Sequence, residues 1–192
     1  MITLKEVKNN KDLKAFVKFP FKLYKDSKYW VPPIISQEMK TFSKKENPVF
    51  NDADATLFLA YKQGEIVGRI ATIVNWLEVK EQNQKKMRFG WFDFIDDIEV
   101  SKTLLDKAEA IGKTHNLEYT EGPVGFSNLD KVGVMTEGFE SIAPMITWYN
   151  YAYYVKHYEA AGYQVEKSYS ESKFPFENVK PEFFKKAQEL IK

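Results

Sequence analysis

The residues of this 192-residue chain with the clearest chemical potential are acids. Asp93, Asp96, Asp97 and Glu99 fall within seven consecutive positions, at the end of the aromatic run Met87–Ile95. Carboxylates at such a junction have two uses. They cap a following helix through its unpaired N–H groups, or they face a cleft and bind an amine or act as a base. A second concentration is aromatic: Trp148-Tyr149-Asn150-Tyr151-Ala152-Tyr153-Tyr154 puts five rings in seven residues. With Trp30 and Trp91 these rings either line an apolar or amine-binding pocket or pack as core, since aromatics dominate core burial. Gly122-Pro123 and Gly125 are placed to shape the same pocket. His115 follows a helix end, where a cation is favourable for structural reasons. His157 has no second histidine at metal-ligand spacing, so no metal site is expected. With no cysteine, disulfides, a thiolate zinc site and a thiol nucleophile are excluded. No Gly-x-Ser-x-Gly elbow and no Gly-Lys-Ser/Thr phosphate loop occurs.

Bulk properties narrow the class. Hydrophobic residues make up 44% and charged residues 29%, a globular balance. Basic and acidic residues number 28 and 27, which gives no electrostatic reason to expect nucleic-acid binding. No apolar run approaches the ~20 residues that span a bilayer, so no membrane association is expected. The opening Met1-Ile2-Thr3-Leu4-Lys5-Glu6 has an early acid and no apolar stretch, unlike a signal peptide. The expectation is a cytoplasmic domain covering residues 1–192, with 173–192 as a C-terminal extension or the start of a second half.

The elements that must position these residues follow from periodicity. Ile2–Val7 alternates as a strand, and Asn9-Asn10 caps a helix through Leu13, Phe16 and Val17 that Pro20 interrupts. Trp30-Val31-Pro32-Pro33 is extended, and Ile34–Phe42 is a short helix. Thr56–Lys62 and Ile66–Asn75 form a hairpin about Gln63-Gly64-Glu65. Glu78–Lys86 reads as a solvated loop or strand extension, and Met87–Ile95 is a third strand. Leu104, Leu105, Ala108 and Ile111 line one face of a helix. Leu117–Gly122 returns as a parallel strand through a crossover. Residues 123–144 are glycine-punctuated and irregular, and Met145–Trp148 is a short strand. Tyr151–Ala161 is a helix stopped by Gly162. Tyr163–Lys173 is a strand, and Pro181 opens a last helix. The class is α+β, a mostly antiparallel twisted sheet with one parallel crossover and flanking helices.

That order resembles the GNAT superfamily of acyl-CoA-dependent N-acyltransferases, and specific segments sharpen the likeness. Leu57–Ile70 looks like the family's central hairpin. Leu104-Leu105-Asp106-Lys107-Ala108-Glu109-Ala110 resembles the helix after the cofactor loop. Tyr158-Glu159-Ala160-Ala161-Gly162-Tyr163 resembles the family's Tyr-x-x-x-Gly-aromatic helix end. Phe19-Pro20-Phe21-Lys22-Leu23-Tyr24 and Tyr29-Trp30-Val31-Pro32-Pro33 resemble a bacterial subgroup whose members tend to be longer than this chain.

The resemblance implies transfer of an acyl group from acyl-CoA to an amine, on a small molecule or a peptide. It implies Tyr158 as the acid that protonates the leaving thiolate and Asp93 or Asp96 as the base. It places the acyl-CoA along Phe94, Ile95, Val100, Ser101 and Lys102. The family's pyrophosphate loop, Arg/Gln-x-x-Gly-x-Gly/Ala, falls on Asp96-Asp97-Ile98-Glu99-Val100-Ser101. Here glycines are missing and three carboxylates stand where an anion would dock. Weak or absent CoA binding is therefore expected, which favours a second reading: a GNAT-shaped binding module without catalysis.

Overall fold

The computed structural model describes residues 1–127, 129–173, 175 and 182. Its centre is a five-stranded sheet in sequential order: β1 (Thr3–Glu6), β2 (Ala53–Lys62), β3 (Glu65–Asn75), β4 (Lys86–Phe94) and β5 (Tyr119–Glu121). The first four pair antiparallel, and β5 runs parallel to β4. The mixed sheet and the single parallel crossover are those expected. At the β2–β3 turn Gln63 and Gly64 have φ of 52° and 83°. That is the two-residue geometry whose twist matches flanking strands.

Alternation sorts the strand side chains onto two faces. Phe58 and Ala60 of β2 join Phe89, Phe92 and Phe94 against α4 (Ile98–Thr114) and α5 (Tyr153–Ala160). Leu57 and Leu59 join Ala71, Ile73 and Trp91 against α1 (Asn10–Leu23) and α2 (Ile35–Thr41). Helices on both faces explain why β3 and β4 are buried along nearly their whole length.

Several elements depart from expectation. Pro20 does not interrupt α1; the helix continues to Leu23. Proline removes the N–H that would bond the Phe16 carbonyl four residues back. Arg69 supplies the missing donor, its guanidinium reaching that carbonyl at 3.0 Å. Residues 76–80 form a short helix, α3, capped by the Asn75 side chain. Its Glu78 is buried because it pairs with Arg88 and Lys86 of β4. Met145–Trp148 forms only an isolated bridge, Val132 to Thr147. Tyr163–Lys173 alternates in sequence but pairs with no strand among the described residues, and most of it is exposed. An alternating pattern predicts a strand only where an open sheet edge is within reach. The helix expected after Pro181 lies outside the described residues.

The parallel pairing is short. Lys86–Arg88 pairs with Tyr119–Glu121, and Val124 N–H then donates to Phe89 O at 2.8 Å after a cis Gly122–Pro123 bond. Beyond Gly90 the two strands diverge. A Cβ on Gly90 would lie 2.6 Å from the Val124 carbonyl oxygen. Gly90→Ala is expected to cost about 1–3 kcal/mol of stability, as overpacking against backbone does. Urea unfolding with an unchanged m-value checks it.

Candidate functional site

The divergence of β4 and β5 opens a cleft, and a bulge aims β4 into it. Arg69 of β3 faces Asp93, and Ala71 faces Gly90, so Ile70 opposes both Trp91 and Phe92. Trp91 takes up the extra residue with φ of 45°, a conformation uncommon outside glycine. Phe92 and Asp93, neighbours in sequence, both line the cleft. Its other walls are Pro123, Gly133, Val134, Trp148, Tyr149, Asn150 and Tyr154. The free space between these walls is about 10 Å³, room for little more than one water molecule. That is far below the roughly 300–1,000 Å³ of a site enclosing a whole drug-sized ligand, so a ligand entering here must part the walls.

Asp93 forms the floor. Its Oδ2 accepts from Arg69 Nε and Nη2, each at 2.7 Å. Its Oδ1 accepts from the Tyr24 hydroxyl at 2.7 Å. Tyr24 thereby spends its proton, so Tyr154 is the donor in their 2.8 Å contact. Tyr154 Oη in turn accepts from Phe94 N–H at 3.2 Å. The Phe94 carbonyl accepts from Tyr153 at 2.5 Å. Arg69, Asp93, Tyr24 and Tyr154 are all buried.

Tyr158 stands behind Phe92, with ring centroids 5.7 Å apart, and also packs on Phe89 and Tyr163. Its hydroxyl is buried and has no hydrogen-bond partner among the described residues. An unmade bond on a buried hydroxyl is costly and asks for a reason. Trp148 Nε1–H is the other buried donor without a partner among the described residues, and Trp148 lines the cleft. Burial holds the Tyr158, Tyr24 and Tyr154 phenols well above the ordinary value, with nearby Tyr163 and Asp93 adding to the effect on Tyr158.

Asp96 takes a different place. Its carboxylate is exposed and accepts from His157 Nε2–H at 2.9 Å. His157 Nδ1 meets Ser101 Oγ at 2.7 Å. This Asp96–His157–Ser101 chain fastens the β4–α4 loop to α5. Ser101 is 1% exposed, so the arrangement does not present a nucleophile to solvent.

Of the remaining residues expected along a donor, Phe94 has both backbone groups engaged by tyrosines. Ile95 N–H donates to Val67 O at 3.0 Å. Val100 is buried in the core between α4 and the sheet. Lys102 pairs with Asp106 on the outer face of α4 at 2.8 Å. The structure thus brings Asp93 to the cleft with Tyr158 behind its wall, and sets Asp96 on α5 instead. Sequence reasoning missed Tyr24 and Arg69. A lone arginine inside the apolar strand Ile66–Asn75 was the available signal, since a buried charge requires a partner.

The α4 N-terminus does not suit a CoA pyrophosphate. Asp97 Oδ1 accepts from Glu99 N–H at 3.0 Å, and Asp97 O accepts from Val100 and Ser101 N–H at 3.0 and 3.3 Å. Asp97 also pairs with Lys62 at 2.5 Å, which holds its carboxyl below the usual range. Among the described residues no group of three or more His, Cys, Asp or Glu could hold a metal ion. No described helix is long and apolar enough to cross a membrane.

No protein-family model matches the chain. It is 32% identical over 155 residues to protein YghO of Escherichia coli K12, covering 81% of this chain and 40% of that protein. It is 29% identical over 162 residues to the bacterial ceramide synthase of Caulobacter vibrioides, covering 82% of this chain and 41% of that protein. The chain therefore spans about two-fifths of the length of these relatives. Among solved structures, a predicted acetyltransferase with acetyl-CoA from Clostridium acetobutylicum superposes with a TM-score of 0.53 at 13% identity, covering 90% of this chain and 96% of its own. An aminoglycoside acetyltransferase from an uncultured soil metagenomic sample, in complex with sisomicin, gives 0.53 at 12% identity, covering 91% and 96%. The fold is that of the GNAT superfamily.

Two outcomes check this description. Arg69→Met is expected to destabilise by about 3–5 kcal/mol, because it strands the Asp93 charge in the interior. Restoring charge balance with Arg69→Met/Asp93→Leu should recover part of that loss in urea melts. Stability should also fall in alkali. The raised Tyr24, Tyr154 and Tyr158 values contribute stability that is fully present below the ordinary phenol pKa of about 10. It is lost as pH climbs through their folded values, and a melting series from pH 8 to 11.5 measures it.

Proposed function

We propose that this chain belongs to an acyltransferase that moves an acyl group from a thioester such as acyl-CoA to the amine of a small molecule or peptide. The observation that carries this reading is the buried, unpartnered hydroxyl of Tyr158 behind the cleft wall. A neutral phenol carries a proton that it can donate to the sulfur on which negative charge develops. In this reading the amine nitrogen attacks the thioester carbonyl carbon and the C–S bond breaks. The leaving sulfur takes the Tyr158 proton. Asp93, the carboxylate facing the cleft, relieves the attacking nitrogen of its proton, and solvent returns one to Tyr158. Asp96 positions the loop through His157. The relative named bacterial ceramide synthase supports an amine acceptor, ceramides being N-acyl amides, and an aminoglycoside is likewise an amine.

A second reading has its own support. The self-capped α4 N-terminus favours a GNAT-fold module that binds a small molecule or peptide in the cleft without chemistry.

Acyl transfer from acyl-CoA and from acyl-N-acetylcysteamine to an amine panel separates the two. Tyr158→Phe should lower kcat by about 100-fold or more with KM unchanged and the melting temperature equal or higher, since the hydroxyl removed is buried without a partner among the described residues. Wild-type turnover in that variant would remove Tyr158 from the chemistry. Thermal stabilisation by amines alone, with no turnover of any thioester, would favour the module.

A further inference from the structure

We infer that the acyl donor is recognised by this chain without its nucleotide: the α4 N-terminus is closed by the chain's own carboxylates, and the donor is read as an acyl-pantetheine thioester. The thioester part of this inference rests on the acyl-transfer reading above; the nucleotide part does not.

A helix N-terminus holds a phosphate only if its first N–H groups are unspent and its surroundings are positive. Both conditions are curtailed. Of the first-turn N–H groups that a helix leaves unpaired, that of Glu99 goes to the Asp97 carboxylate and that of Val100 to the Asp97 carbonyl. That carbonyl also accepts the ordinary first intrahelical bond from Ser101, and among the described residues this leaves the Ile98 N–H. The Asp97 carboxylate is fixed from its other side by Lys62 at 2.5 Å. Lys62 also lies 3.9 Å from Glu99, so its charge is shared between two acids. Lys102, on the second turn, is occupied with Asp106.

The closure is braced against opening. His157, 4% exposed, bonds Asp96 on the loop and Ser101 in the first turn of α4. Moving the loop aside would break both contacts. Residues 91–111 contain no glycine, so the backbone cannot give an incoming phosphate the close approach that a missing side chain allows. Asp96, Asp97 and Glu99 outnumber Lys62 and the Met1 ammonium, which lies 3.8 Å from Glu99, and a diphosphate would add two more negative charges to that end.

The thioester end of the same donor meets the opposite situation. Among the described residues two buried donors are unspent here, Trp148 Nε1–H in the cleft wall and Tyr158 Oη–H behind it. The cleft walls are largely apolar and aromatic. In charge and polarity this lining matches a neutral arm whose thioester carbonyl accepts a hydrogen bond, and not a dianionic diphosphate.

The experiment is calorimetric titration of the full chain with adenosine 3′,5′-bisphosphate, alongside kinetics with matched acyl-pantetheine and acyl-CoA. The wild type should show no binding of the bisphosphate up to about 1 mM, and the two donors should differ by less than about threefold in kcat/KM. The variant Asp96→Asn/Asp97→Ser/Glu99→Gln keeps a capping oxygen while removing the charges, and it should bind the bisphosphate at least about tenfold more tightly. Micromolar binding by the wild type, a preference for acyl-CoA above about tenfold, or no gain in the folded variant would each overturn the inference. If neither donor turns over, the acyl-transfer reading fails, and the bisphosphate titration still decides whether the α4 end is closed.

Discussion

Asp93 accepts hydrogen bonds from a guanidinium and a phenol at the meeting point of four elements. Arg69 comes from β3, Tyr24 from just past α1, Tyr154 from α5, and the carboxylate itself from β4. Removing these groups from water is expensive, and the cost is offset only when every lone pair and N–H finds a partner. Here all three guanidinium nitrogens of Arg69 are engaged, two by Asp93 and the third by the Phe16 carbonyl that Pro20 leaves free. The consequence is geometric. Past the bulge, β4 has no neighbouring strand on its β5 side, yet Tyr154 and Tyr153 hold the Phe94 N–H and carbonyl. Side chains of α5 thus take over the hydrogen bonds a strand would have made. The backbone groups of Phe94 are thereby paired where the sheet ends in a gap.

The gap is walled by a segment with almost no regular structure. Between Pro123 and Asn150 the described residues contribute only isolated bridges, Val124 to Val132 and Val132 to Thr147. Packing substitutes for hydrogen-bonded ladders there. Trp148 lies against Trp91 with centroids 5.3 Å apart, and Lys131 sits 5.5 Å over the Trp148 ring. Asn150, 2% exposed, ties Met135 to the start of the α5 region through its amide group. Tyr149 takes a bond from Ser27, joining this wall to the segment after α1. The cleft is thus shaped by side chains anchored from both faces of the sheet.

How much of this was legible in the sequence depended on how local the cause was. The hairpin at Gln63-Gly64 and the helix carrying Leu104, Leu105 and Ala108 are set by neighbouring residues, and both are where periodicity puts them. The passage of α1 through Pro20 and the burial of Glu78 depend on Arg69 and Arg88, partners 53 and 10 positions away. No local pattern carries that information. The candidate site divides in the same way. The position of Tyr158 follows from its spacing to Gly162, and the crowd of rings at 148–154 does contribute Trp148, Tyr149 and Tyr154 to the cleft. The different fates of Asp93 and Asp96, three residues apart, follow instead from which element each meets: the core knot for Asp93, His157 of α5 for Asp96.

The acids at the start of α4 show why one helix end cannot serve two purposes. Its N–H groups and positive dipole stabilise an anion whether it belongs to the chain or to a ligand. A side-chain carboxylate is held covalently near those groups, so it fills them without the entropic cost of association that a free phosphate bears. A phosphate must displace it, and here it must also separate Asp97 from Lys62 and enter a field that two further acids make negative. At Tyr158 the balance is reversed. The phenol carries a burial cost with no partner to offset it, so a ligand atom that accepts its proton gains what the folded chain leaves unused. Among the described residues the fold has thus engaged its hydrogen bonds at the start of α4 and left two buried donors without partners, Trp148 in the cleft wall and Tyr158 behind it, so the two places differ in what a ligand could gain there.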